Sequence, residues 1–246
     1  MIRRMFIFFI LLNSFALSGY AKDLNKDEAL SKFQSAVSAY RQEKYDEAIH
    51  DLETIIQGGW ESGIVYYNLG SCYLKQGNQG KAVLFYERAK RLMPRDHDLK
   101  FNWRYVTEKI TNFPPENWIE RSLCLFSLDE WVLYTTILIF LLSSFHLLSL
   151  FLRWPVRLRR IGLIGLALIF IASVFFVFEK INYEKDWAVV LMDADSKFEP
   201  RNDATVYFKL AEGMKVKILT QDEGWVKIKR SDGKLGWVHQ DNLEKI

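Results

Sequence analysis

The sequence predicts a multidomain membrane protein that combines an all-α repeat, two transmembrane helices and a small all-β domain. Two runs without a formal charge lie at 131–152 and 161–178, a pattern repeats between residues 27 and 93, and apolar and polar residues alternate after residue 187. An uncharged helix of about 20 residues matches the roughly 30 Å hydrocarbon layer of a bilayer. Alternation with a period of two is typical of strands with one buried face.

The two uncharged runs are predicted to be transmembrane helices, with the lipid bilayer as their surroundings. The rest of the chain is too short to bury both as core helices of a soluble protein. Residues 153–160, RWPVRLRR, join them. The arginines of this segment are Arg153, Arg157, Arg159 and Arg160. Arginine excess in short loops marks the cytoplasmic side, so we interpret the cluster as a topology signal. A short loop held at both ends offers little surface to a duplex, and nucleic-acid binding is not expected.

A cytoplasmic loop places both flanking segments on the extracytoplasmic side of the cytoplasmic (inner) membrane. The N-terminus agrees, because Arg3 and Arg4 precede an apolar run that ends near Gly19 and Ala21. This order is typical of a secretory signal. Residues 1–21 are therefore predicted to be a signal peptide; uncleaved, they would form a third span with the same sidedness.

Residues 22–112 are predicted to form a helical repeat with a final capping helix. Ala48 and Ala82 are 34 residues apart, as are Leu52 and Tyr86. With SGIVYYNLGSCYLKQGNQGKAVLFYERAKRLMP, this spacing resembles the tetratricopeptide repeat, which implies an all-α solenoid of antiparallel helix pairs. Gly70 is expected where two helices approach closely, and Asn78 with Gly80 is expected in the turn. A fifth helix is predicted over DHDLKFNWRYVTEKI, and residues 113–130 are predicted to be a linker or interfacial segment.

The resemblance implies a concave groove that binds a partner protein. The groove residues that it implies are Phe33, Val37, Arg41, Tyr67, Asn68, Ser71 and Lys75. Arg41 and Lys75 are 34 residues apart and occupy equivalent places, where they would suit an acidic peptide or a carboxylate. The alternative is that both are solvated charges on a helix surface.

Residues 188–246 are predicted to form a small all-β domain. Strands are expected at 188–192, 206–210, 215–219, 225–229 and 236–239, with a hairpin turn at Asp232-Gly233. The run EGMKVKIL…GWVKIK…DGKLGWV resembles bacterial SH3-like domains, which implies a barrel that binds peptides or peptidoglycan stems. Tyr207, Trp225 and Trp237 are the ligand-surface candidates. The alternative, that the tryptophans fill the core of the barrel, is equally compatible with the sequence.

No catalytic, metal or cofactor site is expected. The four histidines lie in four separate segments, and QGNQGK lacks both the spacing and the strand that a phosphate loop requires. The two cysteines, Cys72 and Cys124, are interpreted as small buried residues rather than as a disulfide. His146, within the first span, is expected to face a partner helix, and the alternative is a proton site.

The order of these segments resembles the BatE family of the Bacteroides aerotolerance operon. The second repeat, FSLDEW before the first span and the final alternating segment carry this resemblance. It implies a stress-related envelope protein that works with von Willebrand factor A-type membrane proteins and a MoxR-type ATPase. The first hypothesis is therefore a non-catalytic scaffold, or adaptor, that acts through protein-protein contacts. The alternative is a cell-wall sensor whose SH3-like domain binds peptidoglycan.

Overall fold

The computed structural model describes residues 24–110 and 122–246, and the predicted signal peptide lies outside them. A helical repeat, a pair of long apolar helices and an antiparallel sheet follow one another along the chain. The helices of the described residues are α1 (Lys26–Arg41), α2 (Tyr45–Gln57), α3 (Gly63–Lys75), α4 (Gln79–Leu92), α5 (His97–Thr107), α6 (Leu128–Phe151) and α7 (Val156–Glu184). The strands are β1 (Trp187–Val190), β2 (Ala194–Lys197), β3 (Val206–Leu210), β4 (Lys215–Asp222), β5 (Trp225–Lys229), β6 (Leu235–His239) and β7 (Leu243–Lys245).

The first four helices form two antiparallel pairs, and α5 packs on α4. Side chains at the N-caps satisfy backbone amides that have no partner within the helix: Asn25 accepts from Glu28 N at 2.8 Å and Asn78 accepts from Lys81 N at 2.9 Å. Gly70 lies where α3 meets α4, since a Cβ there would stand 2.6 Å from the Tyr86 ring. The expected close approach of these two helices is confirmed.

The prediction for Gly80 is wrong. The turn between α3 and α4 is made by Gly77, at φ +83°, and by the capping residue Asn78. Gly80 lies inside the first turn of α4 and is buried, because a different part of the chain packs against it.

Helices α6 and α7 form an antiparallel hairpin, and each is long and apolar enough to cross a membrane. The rings of Trp131 and Phe176 stack at 5.4 Å, and the Thr135 and Ser173 hydroxyls lie 2.5 Å apart. At the closed end of the hairpin, Arg153 adopts φ 50° in the turn. The other three predicted topology arginines lie in the first turns of α7.

The seven strands form one antiparallel sheet in the order β3-β2-β6-β5-β4-β1-β7. The expected barrel is not closed, since no pairing in the described residues joins β3 to β7. Strand β2 passes from one neighbour to the other at Lys197, which pairs with Val206 on β3 and with Trp237 on β6. A bulge between Ser196 and Lys197 bends the sheet there instead of extending the ladder. Strands β2 and β7 were not predicted from the sequence.

Buried side chains of the repeat and of the sheet belong to one continuous hydrophobic core. Its repeat portion includes Leu52, Leu69, Val83 and Tyr86, and its sheet portion includes Val189, Val216 and Ile228. The helical repeat and the sheet therefore pack together at the open end of the α6–α7 hairpin. We call this combined unit, residues 24–110 and 187–246, the head.

Candidate functional site

Helix α4 is the element against which the sheet packs. One side of α4 faces the rest of the repeat, and the other side faces the loop after β1 and the turn before β4. The Gly80 amide donates to Glu212 Oε1 at 2.7 Å. A Cβ on Gly80 would stand 2.5 Å from the Leu191 carbonyl oxygen. A glycine is therefore needed here for close contact with another backbone.

A buried ion pair lies in this junction. Lys215 Nζ lies 2.8 Å from Glu87 Oε2, and the exposed fractions of the two side chains are 10% and 5%. The other carboxylate oxygen of Glu87 accepts a hydrogen bond from Trp103 Nε1 at 2.7 Å. Burial alone would raise the pKa of Glu87, but the charges of Lys215 and Lys90 and these hydrogen bonds hold that pKa well below its ordinary 4.5. Glu87 is therefore a carboxylate in the folded protein.

Three arginines on or just after α4 connect the repeat to neighbouring elements. Arg88 pairs with Glu244 of β7 at 2.9 Å. Arg91 donates to the Ile246 carbonyl at 2.6 Å and to the Glu184 carbonyl at the end of α7. Arg95 contacts Glu130 in the first turn of α6. The start of α6 and the end of α7, which lie at the open end of the hairpin, thus contact one edge of the repeat.

The predicted groove residues lie on α1 and α3. Arg41 and Lys75 are exposed, whereas the other five groove residues are half-buried. Two predicted groove residues bond within the repeat: the Asn68 amide donates to the Ile64 carbonyl at 2.7 Å, and Ser71 Oγ lies 3.2 Å from Tyr86 Oη. The Tyr67 hydroxyl accepts from Asn102 on α5 at 2.7 Å. Helix α5 therefore continues the surface that α1 and α3 begin.

Three residues on or just after α5 that were not predicted from the sequence extend this surface. Phe101, Tyr105 and Lys109 each lie 34 residues after a predicted groove residue, namely Tyr67, Ser71 and Lys75. Phe101 is 72% exposed and Tyr105 is 51% exposed. The Lys109 ammonium lies 3.9 Å from the centre of the Tyr105 ring. The 34-residue period itself would have identified these residues, had it been applied beyond Pro94.

This surface, which we call the concave face, is electropositive at one end. Arg41, Lys75 and Lys109 occupy equivalent positions at or just after the C-terminal ends of α1, α3 and α5, and all are exposed. A hydrogen bond from Lys109 and its charge, with a contribution from Lys75, lower the pKa of Tyr105. An acidic segment with apolar side chains fits a row of cations beside exposed rings.

The predicted ligand surface of the sheet lies mainly on the outward face of β5 and β6. Val226, Ile228 and Val238 are buried, whereas Trp225 and Trp237 are half-exposed on the opposite face. The Lys227 ammonium lies 5.7 Å from the centre of the Trp237 ring, and that of Lys197 lies 5.4 Å from the Trp225 ring. These two tryptophans therefore do not fill the core.

Tyr207 is 42% exposed on β3, and the centre of its ring lies 4.3 Å from that of Phe198.

Within residues 24–110 and 122–246, no group of three or more His, Cys, Asp or Glu side chains could hold a metal ion. Cys72 is buried, Cys124 is half-buried, and the two do not form a disulfide.

Two protein families match parts of the chain. Residues 63–96 match the tetratricopeptide repeat, and residues 198–244 match the bacterial SH3 domain. No curated protein matches the chain. The match to the repeat covers α3 and α4, while α1 and α2 adopt the same helix-pair arrangement in the structure. A tetratricopeptide repeat, two apolar helices and a bacterial SH3 domain fit a BatE-like architecture, and the two domain types fit a scaffold or adaptor.

Proposed function

We propose that this protein is a non-catalytic, membrane-anchored adaptor that joins envelope proteins through the concave face of its repeat. The observation that supports this proposal is that one side of the repeat is covered by the sheet while another side is exposed. The outer side of α4 is covered by the sheet, whereas Arg41, Lys75 and Lys109 remain exposed at the C-terminal ends of α1, α3 and α5. An acidic segment of a partner protein would lie along these cations.

Charge reversal on the concave face tests this role. Changing Arg41, Lys75 and Lys109 together to Glu should abolish co-purification of the partner from detergent-solubilised membranes, because attraction to an acidic segment becomes repulsion. The helical circular dichroism should not change, since all three side chains are exposed. In the control, Lys44 and Lys234 are changed to Glu. Both lysines are exposed and lie outside the concave face. Retention of the same partner by the triple variant would refute the proposal.

We further propose the partners and the location that the resemblance to the BatE family implies. The partners are von Willebrand factor A-type membrane proteins that act with a MoxR-type ATPase in aerotolerance or another envelope stress response. The head lies on the extracytoplasmic side of the cytoplasmic membrane, because the arginines cluster at the closed end of the hairpin and the head lies at its open end. Cross-linking in native membranes with mass spectrometry tests the partners, and an export-dependent reporter enzyme fused after Ile246 tests the orientation.

The second candidate function is a peptidoglycan sensor, and the tryptophan face of β5 and β6 favours it. Exposed rings beside Lys197 and Lys227 suit the sugars of the glycan strands and the carboxylates of the peptide stems in peptidoglycan. Full-length protein in detergent should then be retained on insoluble peptidoglycan, and Trp225→Ala with Trp237→Ala should elute. Equal retention of the wild type and the double variant would remove this function without affecting the adaptor proposal.

A further inference from the structure

Helix α6 packs on α7 through one stripe of residues. The stripe follows the alternating spacing of four and three that places side chains on one side of a helix. Its members are Trp131, Thr135, Leu138, Leu142, Phe145 and Ser149. All six are half-buried or buried, and Phe145 lies where a Cβ on Gly162 of α7 would stand. This stripe accounts for the hairpin contact.

A second stripe with the same spacing lies one residue further along the chain at every position. Its members are Val132, Thr136, Ile139, Ser143, His146 and Leu150, and all six are exposed or half-exposed. Between residues 131 and 152, the exposed residues outside this stripe are apolar, apart from Tyr134 near the start of α6. The exposed polar residues of the span, Thr136, Ser143 and His146, therefore share one face, which we call the polar stripe.

The polar stripe is poorly suited to lipid. His146 is five residues before Phe151, where α6 ends, or about 8 Å along the helix. The uncharged run continues to Leu152, which places the imidazole inside the hydrocarbon layer. The Thr136 and Ser143 hydroxyls donate to carbonyls of their own helix at 2.9 Å. Within the described residues, the imidazole of His146 has no hydrogen-bond partner. A polar group in lipid without a partner is costly, so residues of this kind face another helix.

We propose that the polar stripe is a dimerisation surface and that its occupant is the same stripe of a second copy of this chain. Two copies share one topology, so their α6 helices are parallel. In a parallel symmetric pair with this spacing, each residue meets its own counterpart. A hydroxyl and an imidazole each carry donor and acceptor atoms. His146 can therefore bond its counterpart, and Thr136 or Ser143 can do so when one hydroxyl of the pair turns from the carbonyl of its own helix to the other copy. This inference does not depend on the adaptor function.

Disulfide cross-linking in native membranes tests the geometry. The full-length protein carries Cys124→Ser, while Cys72 stays because it is buried. Ile139→Cys places a thiol on the polar stripe without removing a polar group. Leu141→Cys is the matched control, exposed at nearly the same depth on another face. We expect a covalent dimer with Ile139→Cys and little with Leu141→Cys. Equal cross-linking of the two, or cross-linking of Ile139→Cys only to a different protein, would overturn the proposal.

Single-molecule photobleaching in liposomes tests the chemistry. Hydrogen bonds between membrane helices contribute about 0.6 to 1.7 kcal/mol, so His146→Leu should raise the dimer dissociation constant by about 3- to 18-fold. Leu148→Ile, on another exposed face, should leave it unchanged. One-step photobleaching of the wild type at every protein density, or equal dissociation constants for the wild type and His146→Leu, would contradict the proposal.

Discussion

The buried pair of Glu87 and Lys215 allows a quantitative test of the junction between the repeat and the sheet. Glu87→Gln keeps an oxygen that can accept from Trp103 Nε1 but removes the charge opposite Lys215. The Lys215 ammonium would then be almost fully buried without a counter-charge. Removing one partner of a buried ion pair costs about 3 to 5 kcal/mol, most of which is the penalty for the remaining charge.

Hydrogen–deuterium exchange of the full-length protein in detergent measures this cost. Where opening of the junction governs exchange, about 3 kcal/mol corresponds to a rate increase of about 150-fold in amides of α4 and β4. Amides of α1, at the far end of the repeat, serve as an internal control. The double variant Glu87→Gln with Lys215→Met removes the unpaired ammonium and should recover part of the protection, because the stranded charge accounts for most of the penalty.

Two outcomes would refute this reasoning. If Glu87→Gln exchanged at the wild-type rate, the pair would not stabilise the junction. If the double variant were as unstable as Glu87→Gln alone, the loss would come from the glutamine itself and not from a stranded charge.

Three further outcomes follow from the same structure. Glu87 has a lowered pKa, so its stabilisation is full above its ordinary 4.5 and is lost as the pH falls toward the folded value. The protection factors of α4 amides, which compare the observed exchange rate with the intrinsic rate at the same pH, should therefore fall on acidification in the wild type but not in Glu87→Gln. Gly80→Ala should separate α4 from Leu191 and speed exchange in the loop after β1, whereas Ala at the exposed neighbour Gln79 should not. Burial raises the pKa of Cys72 to about 11. In a Cys124→Ser background, maleimide labelling at pH 8 should therefore stay slow until denaturant is added, because the thiolate is the reactive form. Rapid labelling of the native protein would show that the thiol is accessible.

The modules were predictable because each depends on local patterns. The 34-residue period predicted the close approach at Gly70, the absence of charge predicted α6 and α7, and alternation predicted five of the strands. These signals arise from contacts within one helix pair or from one face of one strand. The short strands β2 and β7, with three or four residues each, carry too little pattern to be recognised.

The junction could not be predicted from the sequence because it joins residues far apart in the chain. Gly80 was assigned to a turn since glycine is common there, but its lack of a side chain serves a contact with Leu191, more than a hundred residues later. Glu87 and Lys215 each look like an exposed charge when read alone. Their burial becomes evident only when the sheet is placed on α4, and the same contact accounts for the apolar residues on both sides of that helix.

The continuous core has a consequence for biogenesis and for the behaviour of truncated forms of the protein. Helix α4 is synthesised long before the strands that cover it, and both apolar helices emerge in between. Its outer side remains uncovered until the C-terminal strands are made, so the repeat exposes apolar surface while the rest of the chain is synthesised. A truncated protein that stops after α7 would lack the strands that cover this surface. Its phenotype would then reflect aggregation as well as the loss of the SH3 domain.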